Sequence, residues 1–455
     1  MSNPLKVVPL LAAVLGLMMV FLAPPLGRVP DEPYHFYRAV GISQGHIWAE
    51  RLQGQDGLEL GGYIPRSLQK LTAPLLHSKL DFDKTIWQRF DGSAVYSPVP
   101  YVPQVLGVLT GRLLDLPPFG LFYLTRLFNL AAWVAMVYAA IRIAPRWGWA
   151  TGAVALLPIT VFQSGTVTAD VMTVGLSMLL VAQVVRAATE PGALSRREYS
   201  WLVATAAALA LTKPPLALLP LAAMAIPRRR YGSTRRWLAG LAGIVLPGLL
   251  LVAAWSATVG RANVTQGFVE AHPMAQVQAI VHDPWIFPQA MLNLHFVDSD
   301  RSFQLIASAT TPAGWLGIPT YLWVVMVSYA VLTLAILALV EPEPALARPG
   351  QRWAFLGTWA VVVAATEGVL YLYFSEVGGR VVNGVQGRYF IPMLLLLPFA
   401  LRSKGLFVQT SRKTLGLLVV GGSLVAVAAL VAVLLQGYPL HFDYFSRVCT
   451  QWCQP

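Results

Sequence analysis

Long apolar runs separated by short basic connections dominate the chain. The first, residues 7–22, is about 16 residues long, near the lower limit for a helix that crosses a bilayer. Further runs at 121–143, 147–162, 171–185, 237–255, 315–340, 353–374, 389–401 and 415–435 read as membrane segments. The run at 201–225 is broken by Thr212-Lys213-Pro214-Pro215 into halves of about 11–13 residues, each too short to span alone. Either one helix kinks at the prolines or two half-helices form a re-entrant hairpin with Lys213 at its tip. Arginines on both flanks favour the hairpin. Pro98, Pro100 and Pro103 crowd another short apolar stretch, which is read as partly inserted. The pattern predicts an all-α polytopic membrane protein with about 10–12 membrane segments in one domain, 1–455.

Three polar stretches interrupt this pattern. Residues 24–97 carry balanced charges, yet Trp48, Tyr63, Trp87 and Phe90 argue for order, because disordered segments are poor in aromatics. Short juxtamembrane helices on the bilayer surface are expected there. A second large outer loop covers 257–314, and a polar tail covers 436–455. Cys449 and Cys453 lie in that tail, where an oxidising compartment would allow a short-loop disulfide.

Composition sharpens the class. The chain is 56% hydrophobic and 12% charged, about half the charge fraction of a soluble domain. The net charge of +12 is concentrated in connections such as Arg228-Arg229-Arg230 with Arg235-Arg236. That is the positive-inside pattern, so the basic bias orients helices and does not point to nucleic acid. It places the polar stretches on the extracytoplasmic side of a bacterial inner membrane.

Ionisable groups at membrane depth are costly and usually face a cavity or a partner. Five polar stations converge on the outer face under this topology. The first is the stretch RVPDEPYHFYRAV, where Asp31, His35 and Arg38 share one helix face by three- and four-residue spacing, with Glu32 beside Asp31. Asp31 or Glu32 alone would also serve as an ordinary helix cap. The others are the 163–170 turn with Gln163 and Asp170, Lys213, the 298–301 stretch with Arg301, and the 376–388 loop with Arg380 and Arg388. Guanidinium groups pair bidentately with phosphate oxygens, and the glycines of that last loop allow close backbone approach. His272, His282 and His295 lack compact metal-ligand spacing and read as surface residues. No metal ligand set is named.

PDEPYHFYRA after the first helix, YSPVPYVPQ, FQSGTVTAD, LTKPPLALLPL and GVQGRYFIPML occur here in order. Together they resemble the bacterial membrane proteins grouped as domain-of-unknown-function family 2142. That group in turn resembles the GT-C glycosyltransferase superfamily, over nearly the whole chain. The resemblance implies a GT-C-like helical bundle with extracytoplasmic juxtamembrane helices and a polyprenyl-phosphate-linked sugar donor. It implies Asp31 as catalytic base, with Glu32 and His35 beside it. Lys213, Arg380, Arg388 and Arg38 are implied at the donor phosphate, and Gln163, Asp170, Tyr96, Gln386, Tyr389 and Arg301 around the substrate. The TKPP turn is similar to the lysine turn of lipid-A aminoarabinose transferases, although Pro214 stands where a glycine usually follows the lysine. The two acidic motifs that hold a divalent cation in oligosaccharyltransferases are not reproduced, so no cofactor is named and a divalent cation stays open.

These readings predict a glycosyltransferase that moves a sugar from the lipid-linked donor to a hydroxyl of a surface glycan or glycolipid. The alternatives are a transporter or flippase of a lipid-linked saccharide, and a non-catalytic subunit of a polysaccharide assembly complex.

Overall fold

The computed structural model describes residues 3–23, 29–54, 57–69, 80–259, 272–312, 316–317, 320–339, 349–401 and 408–437 of the chain. Cys449 and Cys453, and nearly all of the polar tail, lie outside the described residues. Six described helices are long and apolar enough to cross a membrane, and three shorter apolar helices accompany them. The protein is an all-α polytopic membrane protein.

Helix α1 (Pro4–Leu22) leads into α2 (Glu32–Ser43), whose second position is Pro33. Proline fits there because the first helical N–H groups need no intrahelical acceptor. After α2 the structure departs from the expected surface helices. Strands β1 (Glu50–Gly54), β2 (Gly57–Pro65) and β3 (Thr85–Arg89) form an antiparallel sheet, with α3 (Arg66–Gln69) after β2 and α4 (Asp91–Ala94) after β3. Leu60, Gly62 and Ile64 are buried on one face of β2, and Tyr63 on the other face is exposed. Tyr63 also meets Trp87 edge-on across the β2–β3 pair. The Tyr37 hydroxyl donates to the Leu68 carbonyl at 3.2 Å and fastens this unit to α2.

Helices α5 (Val102–Leu113) and α6 (Pro118–Ile143) pack together, and α6 also lies along α1 and α9 (Asp170–Thr189). Between α6 and α9 a broken pair, α7 (Gly148–Ala155) and α8 (Pro158–Ser164), brings the chain back to the 165–169 turn.

The predicted hairpin is present. Helix α10 (Arg196–Ala210) rises to the Thr212-Lys213 turn, and residues Pro214–Ala225 return as a 3-10 helix of 12 residues. Runs of more than three or four residues are uncommon in this form. Here Pro220 removes an amide donor that an α-helix would use, while Pro214 and Pro215 sit in the first turn, where no acceptor is needed. The looser rise, roughly 2.0 Å per residue, stretches this arm to about 24 Å. The base of the hairpin is pinned by Arg230, which donates to the Ala187 carbonyl at 2.9 Å and pairs with Glu198 at 3.4 Å.

Helix α11 (Thr234–Val259) spans next. Helices α12 (Pro273–His282), α13 (Ile286–Leu292) and α14 (Ser299–Ser308) follow, with a π-helical turn at Asn293–Val297. Helices α15 (Leu322–Leu337) and α16 (Pro349–Phe374) precede a second 3-10 stretch, Gly387–Leu396, which carries Pro392 and ends in α17 (Leu397–Ala400). The last helix is α18 (Arg412–Gly437). The two proline-bearing 3-10 arms thus begin next to Lys213 and Arg388, and both starts face the N-terminus of α9.

Candidate functional site: an ionic cluster at the start of helix α9

The centre of the cluster is the Asp170 carboxylate, on the first residue of α9, with its side chain only 10% exposed. The preceding turn is held from three sides. Asn129 Nδ2 donates to the Thr166 carbonyl at 2.7 Å, and Gln104 Nε2 to the Thr168 carbonyl at 2.8 Å. The Val167 N–H donates to Glu32 Oε1 at 2.7 Å. Gly165 is required where this turn crosses α1, because a Cβ there would lie 2.6 Å from the Val20 nitrogen.

Asp170 receives two cations and one amide. Lys213 Nζ lies 2.5 Å from Oδ1, while Gln163 Nε2 at 2.6 Å and Arg388 Nη1 at 3.2 Å donate to Oδ2. The positive end of α9 adds to this field. Arg388 also reaches Asp31 Oδ2, at 3.7 Å, and its Nε donates to Gln386 Oε1 at 2.6 Å. The Tyr389 ring lies 4.7 Å from the ammonium of Lys213 and 5.5 Å from the Arg388 guanidinium. Residues from α2, the 163–170 turn, the hairpin tip and the 376–388 loop therefore meet.

Within this group Asp31 differs from the rest. Its side chain is 53% exposed, against 9% for Arg388 and 17% for Lys213. It occupies the N-cap position of α2 without a side-chain capping bond, at φ 65°. A non-glycine residue in the left-handed region is uncommon, and such strain clusters at functional sites. The surrounding protein raises its pKa, by burial first and by Asp170 second, against the opposing pull of Arg388 and Lys213.

His35 sits one turn further along α2. Its Nδ1 is 2.7 Å from the Tyr101 hydroxyl, and that hydroxyl donates to the Ser93 carbonyl at 3.4 Å. The 2.7 Å bond to Tyr101 fixes the orientation of the ring in either tautomer. Burial lowers the pKa of His35 to about 4, so the ring is neutral at physiological pH. The Tyr96 ring stacks near it at 6.1 Å. Tyr96 and Tyr101 stand in YSPVPYVPQ, but Tyr101 was not singled out from the sequence.

Four expected site residues are used elsewhere. Glu32 turns inward and both its oxygens are occupied, by Arg126 at 2.9 and 2.6 Å and by the Val167 N–H. It is buried scaffold, because residue 32 points away from residue 31 once α2 has begun. Arg38 is buried too, and its guanidinium clamps the carbonyls of His46, Ile47 and Tyr96. Arg301 pairs with Asp298 and donates to Asn383 Oδ1. The Arg380 side chain is exposed, and its carbonyl accepts from Asn293. Arg126 was missed in the sequence, although a lone arginine in an apolar run is itself a signal of a buried partner.

A second ionic pair also escaped the sequence reading. Glu367 is fully buried on α16, and His295, expected at the surface, bonds to it at 2.7 Å from the π-helical turn. The pair docks 272–308 against α16, and Asn293 on Arg380, Ser308 on the Gly387 amide and Gln276 on the Gly378 amide dock the same stretch against the 376–388 loop that follows α16. A Cβ at Gly387 would lie 2.0 Å from the Leu305 carbonyl, so glycine is required there.

The hydrogen bond to Glu367, with its charge, raises the pKa of His295 above its usual 6.5. A raised folded-state value means that the pair's contribution is complete below about pH 6.5 and is lost as pH rises through the folded value. Hydrogen exchange of the 376–388 amides, corrected for intrinsic rate, is therefore expected to speed up by roughly tenfold across that alkaline window. The Glu367→Gln protein should show no such step. An equal step in both proteins would remove the pair from this role.

The donor set does not suit a divalent cation. Asp170 is already bonded to Lys213, Arg388 and Gln163, and no group of three or more His, Cys, Asp or Glu converges among the described residues.

Searches of curated proteins and of solved structures find no match. The model of one family, described as "Predicted membrane protein (DUF2142)", matches residues 13–397. On that coverage, the chain belongs to the DUF2142 family of predicted membrane proteins.

Proposed function

We propose that the cluster is the active site of a membrane glycosyltransferase. The donor is a sugar linked to a polyprenyl phosphate, and the acceptor is a hydroxyl of a surface glycan or glycolipid. The site faces the extracytoplasmic side of a bacterial inner membrane, the side opposite the arginine-rich connections. One observation carries the reading: two cations, Lys213 and Arg388, are held together by buried Asp170 directly beside the half-exposed carboxylate of Asp31.

The chemistry follows from that arrangement. The acceptor oxygen attacks the anomeric carbon while its proton passes to Asp31. The bond from that carbon to the phosphate oxygen breaks, and its electron pair leaves with the phosphate. Charge develops on the departing phosphate, which is where fixed cations act most strongly. Asp170 orients Lys213 and Arg388 and keeps them from repelling each other. Neutral His35, its ring fixed by Tyr101, hydrogen-bonds sugar hydroxyls without adding charge. The outcome is inversion at the anomeric carbon.

The test is transfer from a radiolabelled polyprenyl-phosphate sugar by the full-length protein in nanodiscs, with free polyprenyl phosphate measured as the second product. Equimolar release of both products supports the proposal. Movement of intact donor across the bilayer with no release would replace it with transport.

A further inference from the structure

Between Pro273 and Val297 the usual distribution of polar and apolar side chains is inverted. A helix on a water-exposed surface buries its apolar stripe and turns polar residues outward. On α12 the one buried residue is Gln276, whose Oε1 accepts from the Gly378 N–H at 2.8 Å. Met274, Val277 and Val281, at i, i+3 and i+7, are exposed instead. Past α12, Ala290 and Leu294 turn inward and join a cluster with Leu370, Tyr371 and Val382. Leu292, Phe296 and Val297 face outward, and Phe296 is 81% exposed.

The contacts of this stretch step down α16. Gln276 binds beyond the end of that helix, the Phe287 ring lies 5.4 Å from the Tyr371 ring, and His295 reaches Glu367. Helix α16 is among the six that are long and apolar enough to cross a membrane, and its length sets the depth. Counted from Arg352 near its start, a hydrocarbon core of roughly 30 Å takes about 20 residues and ends near Leu372. Glu367 therefore lies about 8 Å inside that boundary. The π-helical turn bonded to it is at the same depth, with an apolar side left exposed. Its backbone from 286 to 297 is helical, first α and then π, as a layer without water demands. His295 is the one ionisable residue of 286–297, and Glu367 pairs with it. Exposed His282 and Asp283 stand at the shallow end beside Trp285, a residue suited to the headgroup boundary.

We propose that residues 286–297 re-enter the bilayer, in the leaflet on the side of the ionic cluster, and that lipid acyl chains cover Leu292, Phe296 and Val297. Helices α12 and α14 then flank the dip at headgroup level. The lipid-facing surface of α16, where Val369 and Tyr373 are exposed, continues onto this segment. A stretch whose sequence reads as part of an outer loop is thus seated in lipid. Tyr389 and Phe390 pack against the same apolar cluster, so the depth of the segment is passed to the loop that carries Arg388. This inference stands independently of the proposed transfer reaction.

Nitroxide labels on Phe296→Cys and Val297→Cys, in the full-length protein with Cys449→Ser and Cys453→Ser, test the assignment in nanodiscs. Power saturation reads the depth, because oxygen concentrates in lipid and a nickel chelate stays in water. Both labels are expected to favour oxygen and to sit about 5–10 Å below the headgroup boundary. A label on Asp300→Cys, at an exposed polar position of α14, should favour nickel. Phe296 and Val297 are both exposed, so neither change disturbs packing, and an unaltered melting temperature checks this. Nickel preference at both positions would return the segment to water. Low collision rates with both reagents would place a protein partner on this face. Either result overturns the proposal.

Discussion

Replacing Asp31 by asparagine is expected to lower the turnover of sugar transfer by roughly 10²–10⁴-fold, the range a positioned general base supplies. Asparagine is nearly isosteric and tolerates the left-handed conformation at φ 65°. The turn therefore survives, and donor affinity should change little. The same carboxylate predicts the acid limb of the rate profile. Its pKa is raised above 3.8, and the reaction needs the ionised form, so activity should fall as pH drops through that raised value. The residual activity of Asp31→Asn should lack this limb. Steady-state rates from pH 4 to 8, with folding checked by gel filtration, decide the matter. Wild-type turnover in the variant would take Asp31 out of the base role.

The second large effect is structural. Arg126 and Glu32 are both buried, and together they join the end of α1, the start of α2, helix α6 and the 165–169 turn. Replacing Arg126 by methionine leaves the Glu32 carboxylate uncompensated. The expected loss is about 3–5 kcal/mol, as for other buried pairs broken on one side. The double variant Glu32→Gln with Arg126→Met removes both charges and keeps an acceptor for the Val167 N–H. It should recover most of that stability, since matched removal of a buried pair is often close to neutral. Thermal unfolding of all three variants in one detergent makes the comparison. If the single change is as stable as wild type, this pair does not hold the two halves of the site together.

Much of the membrane architecture was legible because spans need long apolar runs, and those runs are explicit in the chain. The hairpin was readable for the same reason: TKPP interrupts one run and leaves halves too short to cross. Its second arm was not readable as a 3-10 helix, because three prolines are equally compatible with a kinked α-helix. The small sheet at 50–89 was missed for a different reason. Its strands are short and rich in glycine, and only pairing with each other and docking on α2 makes them strands. Asp31, Asp170, Lys213 and Arg388 could be named singly, since charge is conspicuous against an apolar background. Their meeting could not be derived from spacing, because 138 residues lie between Asp31 and Asp170. Glu32 shows the reverse difficulty. Adjacent to Asp31 in sequence, it is separated from it in role by one helical step, which sends one carboxylate to the opening and the other to Arg126. Arg126 and Glu367 are just as conspicuous inside their apolar runs, but their partners, Glu32 and His295, lie on distant elements that spacing does not connect.

The central claim is that the cations held by Asp170 grip the phosphate of a lipid carrier next to Asp31. Electron cryomicroscopy of the full chain in nanodiscs containing polyprenyl phosphate addresses it most directly. The account predicts phosphate density within hydrogen-bonding reach of Lys213 Nζ and the Arg388 guanidinium, with the Asp31 carboxylate open to the neighbouring space and the isoprenoid chain running into the bilayer. Phosphate bound at another place, with the Asp170–Lys213–Arg388 contacts undisturbed, would contradict it.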